Sequence, residues 1–160
     1  MELTDYNTCV KQWADALYRF SYKCTGNVED ARDMVQGSFE VLWQKRQDVL
    51  PEKAKAFLFQ VAYRQSVDNF RKQSRITYKE ELERNESTTQ KQADLKKVLD
   101  KALDRLDEQQ KALVLLKDYE GYRYEEIAQI TGLTETQVKV YLHRARKTLK
   151  EYLVSVETIL

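Results

Sequence analysis

Few residues of this sequence are of the kinds that interrupt helices or form disulfides, and histidine is equally scarce. Its 160 residues include four glycines, one proline, two cysteines and one histidine. So little glycine and proline, with 33% of the residues charged, is typical of a mostly helical protein. Cys9 and Cys24 share one apolar helical pattern and are too far apart along it to bridge, so we expect reduced thiols in the core.

The same scarcity argues against an enzyme. The single histidine, His143, has no cysteine or carboxylate at metal-ligand spacing, and the sequence contains no glycine-rich phosphate loop or nucleophile elbow. We therefore expect no catalytic residue, no metal and no cofactor.

Long apolar runs are also missing. No run approaches the roughly 20 residues that cross a bilayer, and the N-terminus, MELTDYNTCVKQW, lacks the basic and apolar regions of a secretion signal. The sequence therefore predicts a cytoplasmic protein. The net charge is only +1, but basic residues are concentrated near the C-terminus. Local charge, rather than the total, decides whether a surface attracts nucleic acid.

The clearest motif is a helix-turn-helix over residues 124–150. The pattern predicts a helix from Tyr124 to Thr131, a left-handed turn at Gly132 and a second helix opening at Thr134. Gln137 follows Thr134 at the spacing of a capping box, which would fix the start of the second helix.

The second helix has two contrasting faces. Val138, Leu142, Ala145, Leu149 and Leu153 recur at helical spacing and predict a buried stripe. The other face carries Thr136, Lys139, Val140, His143, Arg144 and Lys147. Such a face suits the major groove of DNA, where cations meet phosphates and guanine edges and a small apolar residue meets a thymine methyl. The alternative is a solvated basic helix without a ligand.

Three helices are predicted in the N-terminal half. The first covers about 5–25 and the second carries an acidic outer face, which is either solvated surface or a docking site for a basic partner. A loop around Pro51 precedes a third helix over about 52–74. Its outer side is predicted to gather Tyr63 with several cations, a mixture that suits unstacked bases and is equally common on ordinary surfaces.

Residues 76–93 have little apolar periodicity and predict a flexible linker. The expected fold is therefore all-α, with two small helical domains, 1–75 and 94–160. Further helices are expected over about 95–106 and from a cap at Asp107 to Gly121, so the C-terminal domain would have four helices ending in the helix-turn-helix.

Three segments together resemble a known family. They are DARDMVQGSFEVLW (30–43), AFLFQVAYRQSVDNFRK (56–72) and the run from Leu106 to Leu153. In order, spacing and length they look like regions two and four of the extracytoplasmic-function (ECF) sigma factors of bacterial RNA polymerase. The resemblance covers nearly the whole chain and is more specific than a lone helix-turn-helix.

The resemblance implies a role for each segment. In the family, the segment that matches residues 30–43 docks on the clamp helices of the polymerase. The resemblance therefore implies polymerase contacts for Asp30, Asp33, Gln36 and Glu40. Residues 46–71 match the part that melts and reads the −10 promoter element, which implies single-strand contacts for Tyr63, Arg64, Asn69, Arg71 and Lys72. The last helix would read the −35 duplex through Thr136, Lys139, Val140, His143 and Arg144, with Arg146 and Lys147 nearer the phosphates.

The implied partners are core RNA polymerase, promoter DNA and an inhibitory anti-sigma factor, with the protein itself a monomer. Two positions depart from the family pattern. Gly37 stands where a glutamate is usual, and Val140 and Tyr141 replace a Ser-Arg pair, so the −35 sequence read here is expected to differ. The rival class is a conventional dimeric helix-turn-helix regulator, which would bind a palindrome without polymerase.

Overall fold

The computed structural model describes the backbone of residues 1–73 and 90–159, with side chains over 1–68 and 94–156. Within these ranges the chain forms seven α-helices. They are α1 (Leu3–Thr25), α2 (Val28–Gln44), α3 (Ala54–Gln73), α4 (Gln90–Asp104), α5 (Glu108–Val114), α6 (Tyr124–Thr131) and α7 (Glu135–Ile159). The all-α class is confirmed. Most of the expected linker, 76–93, lies outside the described residues, and its last part, from Gln90, belongs to α4.

Local sequence signals set the ends of the helices. Gly26 ends α1 in the left-handed region with φ 72°, and the Asn27 side chain accepts hydrogen bonds from the first backbone N–H groups of α2. Asp107 caps α5 through Gln110 N–H, with an N–Oδ1 distance of 2.7 Å. These are the turn and cap residues that satisfy backbone groups otherwise left without partners at helix ends.

Helix α5 widens into a π-helix over Leu115–Tyr119. The Glu120 N–H donates to the Leu115 carbonyl at 2.9 Å, a bond that spans five residues instead of four. Gly121, with φ 74°, then turns the chain toward α6. The periodicity of the sequence did not predict this wider turn, which changes the direction of the side chains that follow it.

A single core cluster includes residues from both halves of the chain. We call residues 1–73 the N-terminal half and residues 90–159 the C-terminal half. Phe59 of α3 is fully buried between Phe20 and Tyr122, with ring centroids 5.6 Å and 5.1 Å away. Since Phe20 lies in α1 and Tyr122 just before α6, one aromatic side chain of α3 contacts both halves.

Helix α3 consequently has a buried face wider than one apolar stripe. Its buried residues are Ala54, Leu58, Phe59, Ala62, Tyr63 and Ser66. The prediction that Tyr63 lies on the outer side is wrong, since only 8% of this residue is exposed. That prediction treated the two halves as separate, whereas α5 and α6 pack against the side of α3 that would otherwise face solvent.

The two cysteines are unpaired and buried, as the sequence indicated. Burial raises the pKa of Cys24 to about 12, so its thiol is protonated at neutral pH. None of the helices in the described part of the chain is long and apolar enough to span a membrane.

Candidate nucleic-acid interface

The helix-turn-helix is built by the residues that the sequence predicted for it. Gly132 ends α6 with φ 79°, and its N–H donates to the Ala128 carbonyl at 2.9 Å. The Thr134 N–H donates to Gln137 Oε1 at 3.0 Å, and the Gln137 N–H donates back to Thr134 Oγ1 at 3.1 Å. This reciprocal capping box is confirmed, and it fixes where α7 starts relative to the turn.

Helix α7 presents one face to the core and the opposite face to solvent. Val138, Leu142 and Ala145 are at most 1% exposed. Every −35 candidate is exposed, namely Thr136, Lys139, Val140, His143, Arg144, Arg146 and Lys147. At 100° per residue, positions 136, 140, 143 and 147 lie along the centre of the outer face. The structure thus brings these seven residues together on one helix.

Two residues that the sequence interpretation omitted extend this surface. Two cations lie near the Tyr124 ring, with Lys117 Nζ 4.4 Å and Lys139 Nζ 5.3 Å from its centroid. An aromatic face attracts such ammonium groups electrostatically and holds them near one another. The position of Lys117 depends on the π-helix, so its proximity to Lys139 could not be predicted from helical spacing.

One of the −35 candidates already has a partner inside the protein. Arg146 is paired with Asp118 of the π-helix through two hydrogen bonds, Nη2–Oδ1 at 2.6 Å and Nε–Oδ2 at 3.2 Å. The other exposed cations of α7 have no ion pair within the described residues. Arg146 therefore differs from Arg144, whose guanidinium contacts only the Tyr141 ring at 5.9 Å among the described contacts.

The −10 candidates on α3 differ in their exposure to solvent. Arg64 is exposed, whereas Tyr63 is buried and its hydroxyl accepts a hydrogen bond from Gln109 of α5 at 3.5 Å. The side chains of Asn69, Arg71 and Lys72 lie outside the described residues. Only Arg64 of this set is thus observed on the surface.

An aromatic cluster lies at the end of α2, next to the loop that leads to α3. Trp43 in this cluster is 37% exposed. Its ring contacts the Tyr6 ring at 4.9 Å and lies under the Arg46 guanidinium, 4.0 Å from its centroid. Rings beside cations suit the stacking of unpaired bases as well as ordinary packing. The sequence order gave no signal that Tyr6 of α1 would meet this site.

The acidic face of α2 is present as predicted. Asp33, Gln36 and Glu40 are exposed and Asp30 is partly exposed. Gln36 Nε2 donates to Glu40 Oε1 at 3.2 Å, and none of the ion pairs in the described part of the chain involves these carboxylates. The face is therefore open to a basic partner, and its first-turn acids also stabilise the N-terminus of α2.

Family models match the two halves separately. The model described as Sigma-70 region 2 matches residues 9–76, and the model described as Sigma-70, region 4, matches residues 96–149. The first therefore covers most of α1 and all of α2 and α3, and the second contains the helix-turn-helix. This places the chain in the class of sigma-70-type transcription initiation factors.

Curated relatives indicate the family within this class to which the chain belongs. The chain is 30% identical to the ECF RNA polymerase sigma factor SigE of Mycolicibacterium smegmatis, over 94% of this chain and 62% of that protein. It is also 30% identical to RNA polymerase sigma factor SigV of Bacillus subtilis, over 89% of this chain and 87% of that protein. The chain thus spans less than two thirds of the first relative but most of the second. It belongs to the ECF family of RNA polymerase sigma factors.

Solved structures share the fold. The sigma factor RpoE of Bartonella quintana, crystallised with the anti-sigma factor NepR, matches with a TM-score of 0.75 and 23% identity, over 94% of this chain and 98% of that one. CnrH, in complex with the cytosolic domain of CnrY, matches with a TM-score of 0.73 and 21% identity, over 94% and 88% of the two chains. At these identities the likeness concerns the fold alone.

Proposed function

We propose that this sigma factor binds core RNA polymerase and directs initiation at promoters whose −35 element it reads as duplex and whose −10 element it melts. The observation that carries this proposal is the outer face of α7. Its seven polar, basic and small apolar side chains are exposed, and the capping box and Gly132 fix the helix that presents them. That surface offers cations to phosphates and guanine edges, and Val140 to a thymine methyl.

The −10 element is assigned to the loop after α2 and to α3. Trp43, Tyr6 and Arg46 form a partly exposed platform of two rings and one guanidinium at the start of this region. Melting costs several kcal/mol, and stacking on such rings offsets a few kcal/mol for each extruded base. Arg64, and in the family pattern Asn69, Arg71 and Lys72, would follow the separated strand.

Polymerase binding is assigned to the acidic face of α2. Its exposed carboxylates have no cationic partner among the described residues, so a basic surface of polymerase would not have to displace an internal ion pair. Two modest promoter sites on one polymerase reinforce each other because the first contact raises the effective concentration of the second. No step in this function involves covalent chemistry.

An anti-sigma factor is proposed as an inhibitory partner. Of the solved structures that share the fold, RpoE is in complex with the anti-sigma factor NepR, and CnrH is in complex with the cytosolic domain of CnrY. For the present chain, affinity purification from the native bacterium under several growth conditions would test this. Recovery of no stoichiometric partner under any condition would count against it.

The decisive experiment is run-off transcription by purified core polymerase, with and without the protein, on a library of randomised promoters. Specific initiation that depends on the protein is the expected result, and sequencing of the selected templates would reveal both promoter elements. A conventional regulator would instead bind a palindromic duplex as a dimer in the absence of polymerase. That outcome, without initiation, would replace the present proposal.

A further inference from the structure

Lys139 lies at the edge of the outer face of α7 and not at its centre. At 100° per residue, Lys139 and Arg146 are rotated by roughly 70° to 90° from the centre line, both toward the same side. This side is the one next to α6 and the π-helix, since Lys139 lies near the Tyr124 ring and Arg146 is paired with Asp118. A cation at the edge of a helix that enters the major groove is directed at the DNA backbone rather than at base edges.

The Tyr124 ring brings Lys139 together with a second cation. Lys117 Nζ lies 4.4 Å and Lys139 Nζ 5.3 Å from the ring centroid, distances at which an aromatic face attracts an ammonium group. The ring is itself held in place, because Arg146 forms hydrogen bonds with the Asp118 carboxylate and the Tyr124 hydroxyl, which raise the pKa of its guanidinium. The two ammonium groups are therefore positioned by a fixed side chain.

No carboxylate of the protein neutralises this pair of cations. None of the ion pairs in the described part of the chain involves Lys117 or Lys139. Asp118, which follows Lys117, is held by Arg146 through two hydrogen bonds, and the acids at the start of α6 pair with Arg123. Two like charges held near one ring repel each other, and an external anion would relieve that repulsion.

The π-helix brings Lys117 to this place from outside the helix-turn-helix. Lys117 is the third residue of the π-helix, and π-helical turns are frequent at functional sites. Tyr124 is the first residue of α6, the first helix of the motif. When a helix-turn-helix docks on DNA, its second helix enters the major groove and its first helix crosses the backbone. The anion expected beside Tyr124 is therefore a backbone phosphate.

We propose that Lys117 and Lys139, positioned by the Tyr124 ring, bind the phosphate backbone of one DNA strand beside the groove that α7 enters. Their ammonium groups would donate charge-assisted hydrogen bonds to phosphodiester oxygens. The location of this phosphate site within a promoter rests on the proposed function. The proposal assigns Lys139 to the backbone instead of a guanine edge, and it makes Tyr124 a positioning residue.

Salt dependence tests the charge of the site. In complex with core polymerase on a duplex with the selected −35 element, Lys117→Ala should lower the magnitude of the salt slope by about one. The affinity advantage of the wild type should then shrink roughly 3.5-fold between about 50 mM and 200 mM salt. The loss should be equal on a scrambled −35 element, because phosphates carry no sequence information. Lys97→Ala, at an exposed position of α4, is the control.

Methylphosphonate scanning locates the contact without changing the fold of the protein. Each phosphate near the −35 element is replaced in turn by an uncharged methylphosphonate. At one phosphate, or at two neighbouring ones, we expect the replacement to weaken binding of the wild type and to have no further effect on Lys117→Ala. Losses that add at every position would overturn the proposal.

Two substitutions of Tyr124 test its positioning role. Tyr124→Phe keeps the ring and should keep the salt slope of the wild type, whereas Tyr124→Leu removes the ring and should lower the slope as Lys117→Ala does. Circular dichroism checks that both variants keep their helical content. A Tyr124→Leu protein with the slope of the wild type would refute the positioning role.

Run-off transcription decides the proposed function separately. A wild type that initiates specifically, while Lys117→Ala keeps full affinity and slope, would overturn the phosphate site alone. A wild type that does not initiate, but whose duplex binding shows the expected methylphosphonate pattern, would refute the promoter role and support the phosphate site. Failure to bind any duplex, with or without polymerase, would overturn both.

Discussion

The guanidinium of Arg146 joins α7 to the π-helix by holding both carboxylate oxygens of Asp118. The two hydrogen bonds are 2.6 Å and 3.2 Å long, and the side chains are 45% and 39% exposed. A planar bidentate pair of this kind fixes orientation better than a lysine would. We infer that the pair sets how α7 is presented, so Arg146 supports the recognition surface as well as carrying charge.

The first prediction concerns the strength of this pair. In a double-mutant cycle with Arg146→Ala and Asp118→Ala, we expect a coupling of about 0.5 to 1 kcal/mol, because exposed pairs are screened by water. Urea unfolding of the four proteins measures it. A coupling near zero would show that the two residues contribute independently to stability and would contradict this prediction.

The second prediction separates the two arginines in DNA binding. Arg144→Ala should weaken promoter binding by the polymerase complex and lower the magnitude of its salt slope by about one. Arg146→Ala should change the slope less, since Asp118 already holds its guanidinium. Lys97→Ala, at an exposed position of α4, is the control. Fluorescence anisotropy over a salt series measures these slopes, and an unchanged slope for Arg144→Ala would remove this residue from the site.

Local signals in the sequence predicted most of the fold. The caps at Asp107 and Thr134 and the turn at Gly132 depend on residues within three or four positions, so spacing alone revealed them. The exposed face of α7 followed from helical periodicity for the same reason. A DNA-binding role for the outer face of α7 was inferred from its residues, whereas the assignments to promoter elements and to polymerase depended on family resemblance; all of these roles stay predictions.

Long-range packing accounts for the errors. Tyr63 has an outward position only if α3 is considered without α5, and the contact between the Trp43 and Tyr6 rings joins residues of two different helices. The pairing of Asp118 with Arg146 depends on the π-helix, which has no signature in the apolar pattern. None of these contacts can be deduced from periods of 3.6 residues.

The third prediction concerns Gly37 on α2. A Cβ at this position would lie 3.1 Å from Gln65 Nε2, the far end of a flexible side chain that can move. Alanine gains up to about 1 kcal/mol of helix propensity over glycine. We therefore expect Gly37→Ala to stabilise the protein by about 0.5 kcal/mol in urea unfolding.

Gly132→Ala provides the contrast for this measurement. Gly132 has a φ of 79°, a region that alanine adopts only at a cost of about 1 to 2 kcal/mol. This substitution should destabilise the protein although nothing lies near the added methyl group. A destabilising Gly37→Ala would mean that Gln65 cannot move, and that glycine at this position is required by the close approach of α2 and α3.

The fourth prediction concerns the pH dependence of stability at Glu108. Burial raises the pKa of this carboxyl above its ordinary value, and the hydrogen bond from Ser66 and the charge of Lys111 offset only part of the effect. Asp104 and Asp107 raise it further. The folded state therefore binds the proton more tightly than the unfolded state. The resulting stabilisation is complete below the unfolded pKa and is lost as the pH rises through the folded pKa.

Glu108→Gln mimics the protonated form and keeps an oxygen to accept the Ser66 hydrogen bond. We expect this variant to be more stable than the wild type at pH 7, with a difference that disappears below about pH 4. Urea unfolding across this pH range measures the difference. A variant less stable than the wild type at neutral pH would show that the Lys111 charge outweighs the cost of burial.

Glu126→Gln should show the opposite pH dependence, which makes it the matched control. Burial tends to raise the pKa of Glu126, but hydrogen bonds from the Arg123 backbone N–H and from Lys55 outweigh it, so the pKa is lowered. A lowered folded pKa contributes stability above the unfolded pKa, and this stability is lost as the pH falls through the folded pKa. We therefore expect Glu126→Gln to be less stable than the wild type at pH 7 and to approach it in acid. Equal pH dependence in the two variants would mean that burial and hydrogen bonding do not distinguish these carboxyls.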